Sequence, residues 1–328
     1  MKNTIETFSA LGARLLGFGD DDATRAVIDS ACRANGWFTP ADIRRAVRAI
    51  ACDMLQREKL EAWLADYPVL PVAEPRRVLV VMAGNIPLVG FFDLLCVLVS
   101  GHGCLVKPSA KDSVLMEHVV GLLREIDPSA PVRLYDGTSP VDAVIATGSD
   151  NANRYFRAHY AGIPSLLRGS RQSVAVLSGR ETPEQLAGLA DDIWAYSGLG
   201  CRSVSLIFAP EGYEPALQML PVNDKYTNNY RQQCALLEMQ GRSFVDLGCA
   251  VAVEQCAFPA ALSRIAYAHY ATLDEVVAWL AGHDGELQCV VTGCLPHSRR
   301  VGFGCAQSPT LTDYPDDRDV LAWLAALD

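Results

Sequence analysis

Residues 77–83 read RVLVVMA, and the next four residues, 84–87, read GNIP. The first run is continuous, apolar and rich in β-branched side chains, which is typical of a strand buried on both faces of a parallel sheet. An apolar helix is predicted to follow over residues 86–100. Further strands and helices are predicted to alternate at residues 103–107, 113–126, 132–135, 141–146 and 151–161. This alternation predicts an α/β fold with an open, doubly wound sheet of the nucleotide-binding type.

The segments on either side of this stretch have a different pattern. Residues 1–65 show helical periodicity, and prolines at positions 68, 71 and 75 mark a linker before the first strand. Beyond residue 170, strands and helices are again predicted to alternate, at residues 174–177, 182–196, 204–209, 213–219 and 225–239. The second half of the chain is therefore predicted to form another α/β domain.

Charge and hydropathy exclude several classes of function. The chain has 328 residues with 38 acidic and 28 basic side chains, giving a formal charge of −10. Such a surface repels phosphate backbones, so no nucleic-acid partner is expected, and an anionic ligand needs a local basic pocket.

The N-terminus lacks the apolar core and cleavage site of a signal peptide, and the apolar run at 86–100 is too short to cross a bilayer. We expect a cytoplasmic protein without a membrane span.

The eleven cysteines are odd in number and scattered, which favours reduced thiols over a disulfide framework. Cys294 and His297 form the only short Cys/His grouping, and one such pair does not make a zinc site, so no metal is expected. Cys201 is the exception among the cysteines because it follows a glycine-bearing turn, Ser197-Gly-Leu-Gly200, that leaves its sulfur uncrowded. Arg202 beside it favours the thiolate. The other ten cysteines are interpreted as small core hydrophobes.

Polar side chains stand directly after three predicted strands. The Asn85 amide can donate a hydrogen bond to an oxyanion, although it can also merely cap the next helix. Lys107 and Ser109 can contact a ribose or phosphate, with a solvated surface lysine as the alternative. Gly148 and Ser149 can bind a pyrophosphate, although Thr-Gly-Ser also makes ordinary turns. No GxGxxG fingerprint follows the first strand, which disfavours an ordinary Rossmann dehydrogenase.

The order and spacing of these motifs resemble the aldehyde dehydrogenase superfamily. The motifs are Asn85-x-Pro87, Lys107-Pro-Ser109, Thr147-Gly-Ser149 and Gly198-x-x-Cys201. Within the superfamily, residues 225–230 (KYTNNY) and 303–314 (FGCAQSPTLTDY) resemble the LuxC-like acyl-CoA reductases, the fatty acid reductases of bacterial bioluminescence and their relatives. The similarity runs from about residue 76 to the C-terminus. It implies an aldehyde-dehydrogenase-like fold, in which a Rossmann-type doubly wound cofactor domain is joined to a second α/β catalytic domain.

The resemblance also implies how the chain is divided. An N-terminal helical segment, residues 1–75, would pack on the cofactor domain. The NAD(P)-binding domain would span residues 76–178, and the catalytic domain with the nucleophilic cysteine would span residues 179–305. The tail, residues 306–328, would return to the cofactor domain.

The resemblance assigns the catalytic roles to two residues. Cys201 would be the acyl-accepting thiolate, and Asn85 would form the oxyanion hole together with the Cys201 N–H. Phe303 and Gly304 would belong to the substrate-side loop. The general-base glutamate of hydrolytic relatives is replaced by Leu167, which cannot activate water, so the enzyme would act as a reductase.

For the cofactor, the resemblance places Lys107 at the adenosine ribose or its 2′-phosphate and Ser149 at the pyrophosphate. Ser109 and Gly148, in the same two motifs, are further cofactor-binding candidates. The acidic residue that usually binds the ribose hydroxyls is replaced by an alanine followed by Lys111. Losing a carboxylate and gaining an ammonium favours a 2′-phosphate, so NADPH is expected rather than NADH. The alternative is that Lys111 is merely solvated.

The resulting hypothesis is NADPH-dependent reduction of an acyl-CoA, or of a thioester on an acyl carrier, to an aldehyde through an acyl-cysteine. The resemblance also allows a homodimer or an association with an acyl-activating enzyme. Two alternatives stay open at this point. One is a reductase of acyl phosphates such as glutamyl phosphate, which shares the scaffold and the cysteine. The other is a non-catalytic module that binds a cofactor or partner.

Overall fold

The computed structural model describes residues 2–327, which form eleven α-helices and twelve β-strands in two compact units. The first unit comprises the described residues up to Ser170 together with those from Thr310 onward. The second unit comprises Arg171–Pro309. Among the described residues, no helix is long and apolar enough to cross a membrane.

The first unit contains five strands and most of the helices. Its strands are β1 (Arg77–Val81), β2 (Gly103–Lys107), β3 (Val132–Leu134), β4 (Ala143–Thr147) and β5 (Ser165–Arg168). Its helices are α1 (Lys2–Leu16), α2 (Asp22–Ala34), α3 (Pro40–Ala49), α4 (Arg57–Ala65), α5 (Phe91–Val99), α6 (Ser113–Ile126), α7 (Asp150–His159) and, from the C-terminal segment, α11 (Val320–Ala325). A π-helical turn, Ile50–Met54, continues α3.

The first sheet is entirely parallel, with the strand order β3-β2-β1-β4-β5. Strand β1 lies at its centre, and four of its five residues are buried, as its continuous apolar sequence predicts. The order of the strands reverses between β1 and β4. In open α/β sheets, ligands bind at the carboxyl ends of the strands beside such a switch point.

The N-terminal helices share one apolar core with the first sheet. Phe8 of α1, Val97 of α5 and Leu321 of α11 all belong to this buried cluster. His102 fixes the C-terminal helix by polar contacts: its Nδ1 accepts the Arg76 N–H at 2.9 Å, and its Nε2 lies 3.0 Å from the Leu324 carbonyl oxygen. Burial lowers the pKa of His102, consistent with a neutral ring that can make both contacts.

The second unit contains seven strands and three helices. Its strands are β6 (Gln172–Val176), β7 (Val204–Pro210), β8 (Val245–Asp246), β9 (Val251–Glu254), β10 (Arg264–Tyr270), β11 (Leu287–Thr292) and β12 (Arg300–Val301). Its helices are α8 (Pro183–Trp194), α9 (Asp224–Met239) and α10 (Leu273–Gly282). The sheet order is β12-β11-β6-β7-β10-β9-β8, and all pairings are parallel except that of β8 with β9.

The boundaries between the two units differ from those that the family resemblance implies. The expected boundary at residue 178 falls within the second unit, because β6 pairs with β7 and β11. The tail rejoins the first unit at Thr310 rather than at residue 306. Ala306 and Gln307 stay in the second unit because both are hydrogen-bonded to Asp192 of α8.

Two predicted helices differ in the structure. The helix predicted over residues 86–100 begins only at Phe91, because residues 86–90 form turns in which Leu88 has a φ of 56°. Residues 213–219 form no helix. Pro215 lies within that segment and disfavours the helical conformation of the residue before it.

Candidate active site

The candidate cofactor residues lie on loops at the carboxyl edge of the first sheet. Val81, at the end of β1, pairs with Lys107 at the end of β2 and with Ala146 near the end of β4. The loops that carry Asn85 and Ser149 therefore follow neighbouring strands at one edge, as the parallel pattern predicts.

The loop after β1 packs tightly on the loop after β2. A Cβ atom added at Gly84 would lie 2.6 Å from the Ser109 Cβ and 2.7 Å from its Oγ, so only glycine fits there. Asn85, next to Gly84, is half-buried. The alternative that Asn85 caps the following helix is wrong, because Gly90 occupies the N-cap position of α5. The structure thus brings the loops of Asn85 and Ser109 into direct contact.

Asp112 fixes the same loop, although its sequence position indicated only the start of a helix. Its carboxylate oxygen Oδ2 accepts the Leu88 N–H at 2.8 Å, which stabilises the left-handed conformation of Leu88. Asp112 is 2% exposed, and burial raises the pKa of its carboxyl group to about 8. It precedes α6 but makes no capping bond to it.

The cofactor candidates after β2 share one exposed turn. Lys107 and Lys111 are exposed, and Ser109 between them accepts the Lys111 N–H on its Oγ at 3.3 Å. Two ammonium groups on one short turn can neutralise a phosphate, and no carboxylate stands between them. This chemistry fits the adenosine end of a phosphorylated dinucleotide.

Ser149 lies at the start of α7, after β4. Its hydroxyl accepts the Ala152 N–H at 3.3 Å and so caps the helix, while Gly148 packs against Ala152. A Cβ at Gly148 would lie 2.9 Å from the Ala152 Cβ. The close approach of strand end and helix start leaves exposed backbone at a helix N-terminus, which suits an anionic group.

Leu167 occupies the position where hydrolytic relatives are expected to carry a glutamate. It lies on β5 and packs against an apolar cluster that includes Val81 and Ala146. Its neighbour Arg168 is 3% exposed and forms a buried ion pair with Asp93, with Nη1 2.7–2.8 Å from both carboxylate oxygens. At residue 167, β5 therefore carries an aliphatic side chain, where the family resemblance leads us to expect a glutamate in hydrolytic relatives.

In the second unit, a left-handed turn leads from α8 to Cys201. Tyr196, Ser197 and Gly198 have φ values of 52°, 52° and 65°. Two non-glycine residues in this region are strained, and such strain persists only where surrounding contacts hold it. One of these contacts is the Ser197 hydroxyl, which accepts the Asn223 N–H at 3.1 Å. The Cys201 side chain itself is exposed.

The predicted substrate-side loop contacts the turn that carries Cys201. The Arg202 guanidinium donates to the Ala306 carbonyl oxygen at 3.5 Å, and the Gln307 amide donates to the Ser203 hydroxyl at 3.3 Å. Phe303 and Gly304, just before these residues, are half-buried. The structure therefore places the loop of Phe303 and Gly304 beside the candidate nucleophile.

Asp192 holds this loop, although its position in the sequence is only weakly indicative of such a role. Its fully buried carboxylate accepts the Gly304 N–H at 2.7 Å and the Ala306 N–H at 2.9 Å. Gly304 has a φ of 77° and lies against Gly188, where a Cβ would be 2.8 Å from the Gly304 nitrogen. What could have indicated Asp192 is that it is an acidic residue on the apolar face of α8, three positions after Leu189.

The burial of the cysteines differs in part from the prediction that all except Cys201 lie in the core. All eleven lie within the described residues, and none forms a disulfide. The cysteines in apolar runs are buried as predicted, namely Cys96, Cys104, Cys249 and Cys289. The interpretation of all others except Cys201 as core residues is wrong for Cys256 and Cys305, which are exposed, and four more are half-buried. In residues 2–327, no group of three or more His, Cys, Asp or Glu side chains is arranged to hold a metal ion.

The two remaining sequence motifs have structural contacts. In the motif at 225–230, Tyr226 is buried beside Gly198, and the Tyr230 hydroxyl donates to Asp246 at 2.7 Å. In the tail motif, the Tyr314 hydroxyl accepts the Trp63 indole N–H at 2.8 Å and also bonds Tyr67. The first motif supports the turn that precedes Cys201, and the second attaches the tail to α4.

Comparison with known sequences now identifies the family. The model of the family described as acyl-CoA reductase (LuxC) matches residues 33–218, more than half of the chain. The chain belongs to the LuxC acyl-CoA reductase family. Long-chain acyl-protein thioester reductase 2 of Photobacterium leiognathi is 24% identical over 175 residues, covering 48% of this chain and 37% of the relative. The long-chain acyl-protein thioester reductase of Vibrio harveyi is 28% identical over 174 residues, covering 47% and 36%. The matches thus span little more than a third of the relatives' own length.

Solved structures confirm the fold. An oxidoreductase from Marinobacter aquaeolei superposes with a TM-score of 0.64 at 12% identity, covering 94% of this chain and 79% of that protein. Betaine aldehyde dehydrogenase of Staphylococcus aureus, crystallised with NAD+, superposes with a TM-score of 0.61 at 13% identity, covering 84% and 69%. The LuxC-family chain therefore has the aldehyde-dehydrogenase-like fold that its motifs predict.

Proposed function

We propose that this chain reduces an acyl thioester to an aldehyde, using NADPH and an acyl-cysteine on Cys201. The observation that carries the proposal is the exposed Cys201 at the end of a strained turn, in a member of the LuxC family. Its relatives are named long-chain acyl-protein thioester reductases, which supports a thioester on CoA or on a protein carrier as the substrate. A homodimer, or association with an acyl-activating enzyme, stays a prediction.

The proposed reaction begins at Cys201. Its thiolate attacks the thioester carbonyl carbon. The developing oxyanion accepts a hydrogen bond from the Cys201 N–H, and the family resemblance assigns the Asn85 amide as the second donor. The C–S bond to the carrier then breaks, and the carrier thiol leaves with a proton. When bound, NADPH supplies the hydride that reduces the acyl group on Cys201. Cleavage of the bond to Cys201 then releases the aldehyde and restores the Cys201 thiolate, so the one proton consumed overall is the one that the carrier thiolate takes from solvent.

The residue at position 167 supports reduction over hydrolysis. Leu167 has no basic atom, so it cannot take a proton from water and deacylate the enzyme. Lys107 and Lys111 lie on one exposed turn without an intervening carboxylate, which supports a 2′-phosphate on the cofactor. Both features favour an enzyme that holds its acyl group until NADPH reduces it.

Product analysis tests this proposal. The protein is incubated with a long-chain acyl-CoA and NADPH, and aldehyde formation is followed together with cofactor oxidation. We expect equal amounts of aldehyde and oxidised cofactor from the wild type and none from Cys201→Ala. Cys256→Ala, which removes an exposed thiol outside the substrate-side loop, serves as the matched control and should stay active. Aldehyde from an acyl phosphate but not from acyl-CoA would contradict the proposed substrate class.

A further inference from the structure

Ser173 is a fully buried residue of β6 at a point where the pairing of the second sheet is irregular on both sides. The register between β6 and β7 shifts between Ser173 and Val174. The register between β6 and β11 shifts between Leu287 and Val290. Irregularities of this kind redirect side chains and are frequent next to active sites. Because of these irregularities, the Ser173 hydroxyl group can form hydrogen bonds with backbone groups outside the regular strand pairing.

The Ser173 hydroxyl connects the Cys201 backbone to β11. Its Oγ donates to the Cys201 carbonyl oxygen at 2.9 Å and accepts the Cys289 N–H at 3.2 Å. The Cys289 thiol in turn lies 3.9 Å from the Arg202 carbonyl oxygen. Cys289 is 1% exposed, and burial raises the pKa of its thiol to about 11, so it stays protonated. Two consecutive carbonyl groups of the Cys201 turn are thus held by buried side chains.

We propose that Ser173 is a positioning residue that fixes the Cys201 peptide and thereby aims the Cys201 thiol at the substrate carbonyl. The inference rests on the proposed function of Cys201 as the nucleophile. Fixing the carbonyl oxygen restricts rotation about the Cα–C bond of Cys201, and with it the direction of the side chain. An error of about 1 Å in the position of a reacting group can cost about a hundredfold in rate, so such a restraint has a large kinetic effect.

The same pair of strands contains a matched control. The Thr292 hydroxyl of β11 donates to the Val176 carbonyl oxygen at 2.9 Å and accepts the Cys294 N–H at 3.2 Å. Thr292 is fully buried, as Ser173 is. Removing either hydroxyl deprives one carbonyl group and one N–H of that partner, so the cost in stability should be similar. The difference between the two hydroxyl groups is that Ser173 bonds to the Cys201 backbone, whereas Thr292 bonds to Val176 and Cys294.

The experiment measures the first-order rate constant for acylation of Cys201 at saturating acyl-CoA without NADPH. We expect Ser173→Ala to lower it about tenfold, with less than a threefold change in the acyl-CoA concentration that gives half the maximal rate. Thr292→Val should lower the melting temperature by a similar amount and leave acylation within threefold of the wild type. Ser173→Thr, which keeps the hydroxyl on a strand-compatible side chain, should restore most of the rate.

Alkylation by iodoacetamide separates this inference from the proposed function. The rate at Cys201 is measured relative to the exposed Cys256 and Cys305 of the same molecule, which needs no acyl substrate. Ser173→Ala should slow alkylation of Cys201 at least threefold relative to both thiols, whereas Thr292→Val should not. If the wild type forms no acyl adduct but this difference persists, the proposed function fails and the positioning role stands. Equal effects of the two variants in both assays, or no effect of Ser173→Ala in a folded protein, would overturn the inference.

Discussion

At the scale of single residues, the proposed chemistry depends on a few side chains, and only some of them can be recognised from the sequence. Cys201 and Asn85 could be selected because they follow glycine turns and strand ends in a recognisable order. Asp112, Asp192 and Ser173 could not be selected in this way. Their roles come from contacts with residues distant in sequence, such as the bond between Asp192 and the Gly304 N–H. A local pattern at most marks such a residue as unusual, as for the acidic Asp192 on an apolar helix face, and does not show which distant residue it contacts.

Asn85 is expected to lower the barrier to acylation by donating to the oxyanion. Asn85→Ala should therefore reduce the acylation rate constant by about a hundredfold. The melting temperature of this variant is measured in parallel, so that a loss of stability is separated from a loss of rate. Rapid-quench measurement of the acyl adduct checks this. A rate within threefold of the wild type would remove Asn85 from the oxyanion hole.

Asp112 is expected to make stability depend on pH. Burial raises the pKa of its carboxyl group from 3.8 to about 8, so the folded state retains the proton over a range in which the unfolded state has lost it. The contribution of this group to stability therefore falls as the pH rises from about 4 to 8. Asp112→Asn, which does not ionise, should gain melting temperature relative to the wild type, and more at pH 8 than at pH 5. An equal difference at both pH values would contradict this assignment.

At the scale of elements, apolar periodicity located most strands and helices. The predicted limits of β2 and α6 match the structure to the residue, because each is a strongly apolar or amphipathic segment with a polar residue or a proline directly beyond its ends. The prediction was wrong over residues 86–90 and 213–219. In the first case, the buried Asp112 holds Leu88 in a turn inside an apolar run. In the second, a proline lies within the segment.

The loop after β2 is expected to select the cofactor. Lys111→Ala should weaken binding of NADPH about fivefold, because one ammonium group is lost from a solvent-screened site, while binding of NADH should be unchanged. Fluorescence titration of both cofactors gives the two dissociation constants. Lys59→Ala, which removes an exposed lysine of α4, is the matched control. Equal weakening of NADPH and NADH binding would show that Lys111 does not contact a 2′-phosphate.

At the scale of the whole molecule, the LuxC-family chain combines two α/β units, each with its own sheet and core. The fold class and the parallel sheets follow from alternating strands and helices. The boundary between the units cannot be predicted in this way, because the apolar sequence of β6 is compatible with pairing in either sheet. Its partners β7 and β11 are set by tertiary packing. The net charge of −10 belongs to this scale too, since an anionic cofactor then depends on local lysines.

The central claim is that Cys201 accepts the acyl group. Its most direct test is to mix the protein with a long-chain acyl-CoA in the absence of NADPH and to locate the adduct by peptide mass spectrometry. We expect one acyl group per chain, on the peptide that contains Cys201, and its loss as aldehyde when NADPH is added. No adduct on the wild-type protein, or one that persists in Cys201→Ala, would contradict the account.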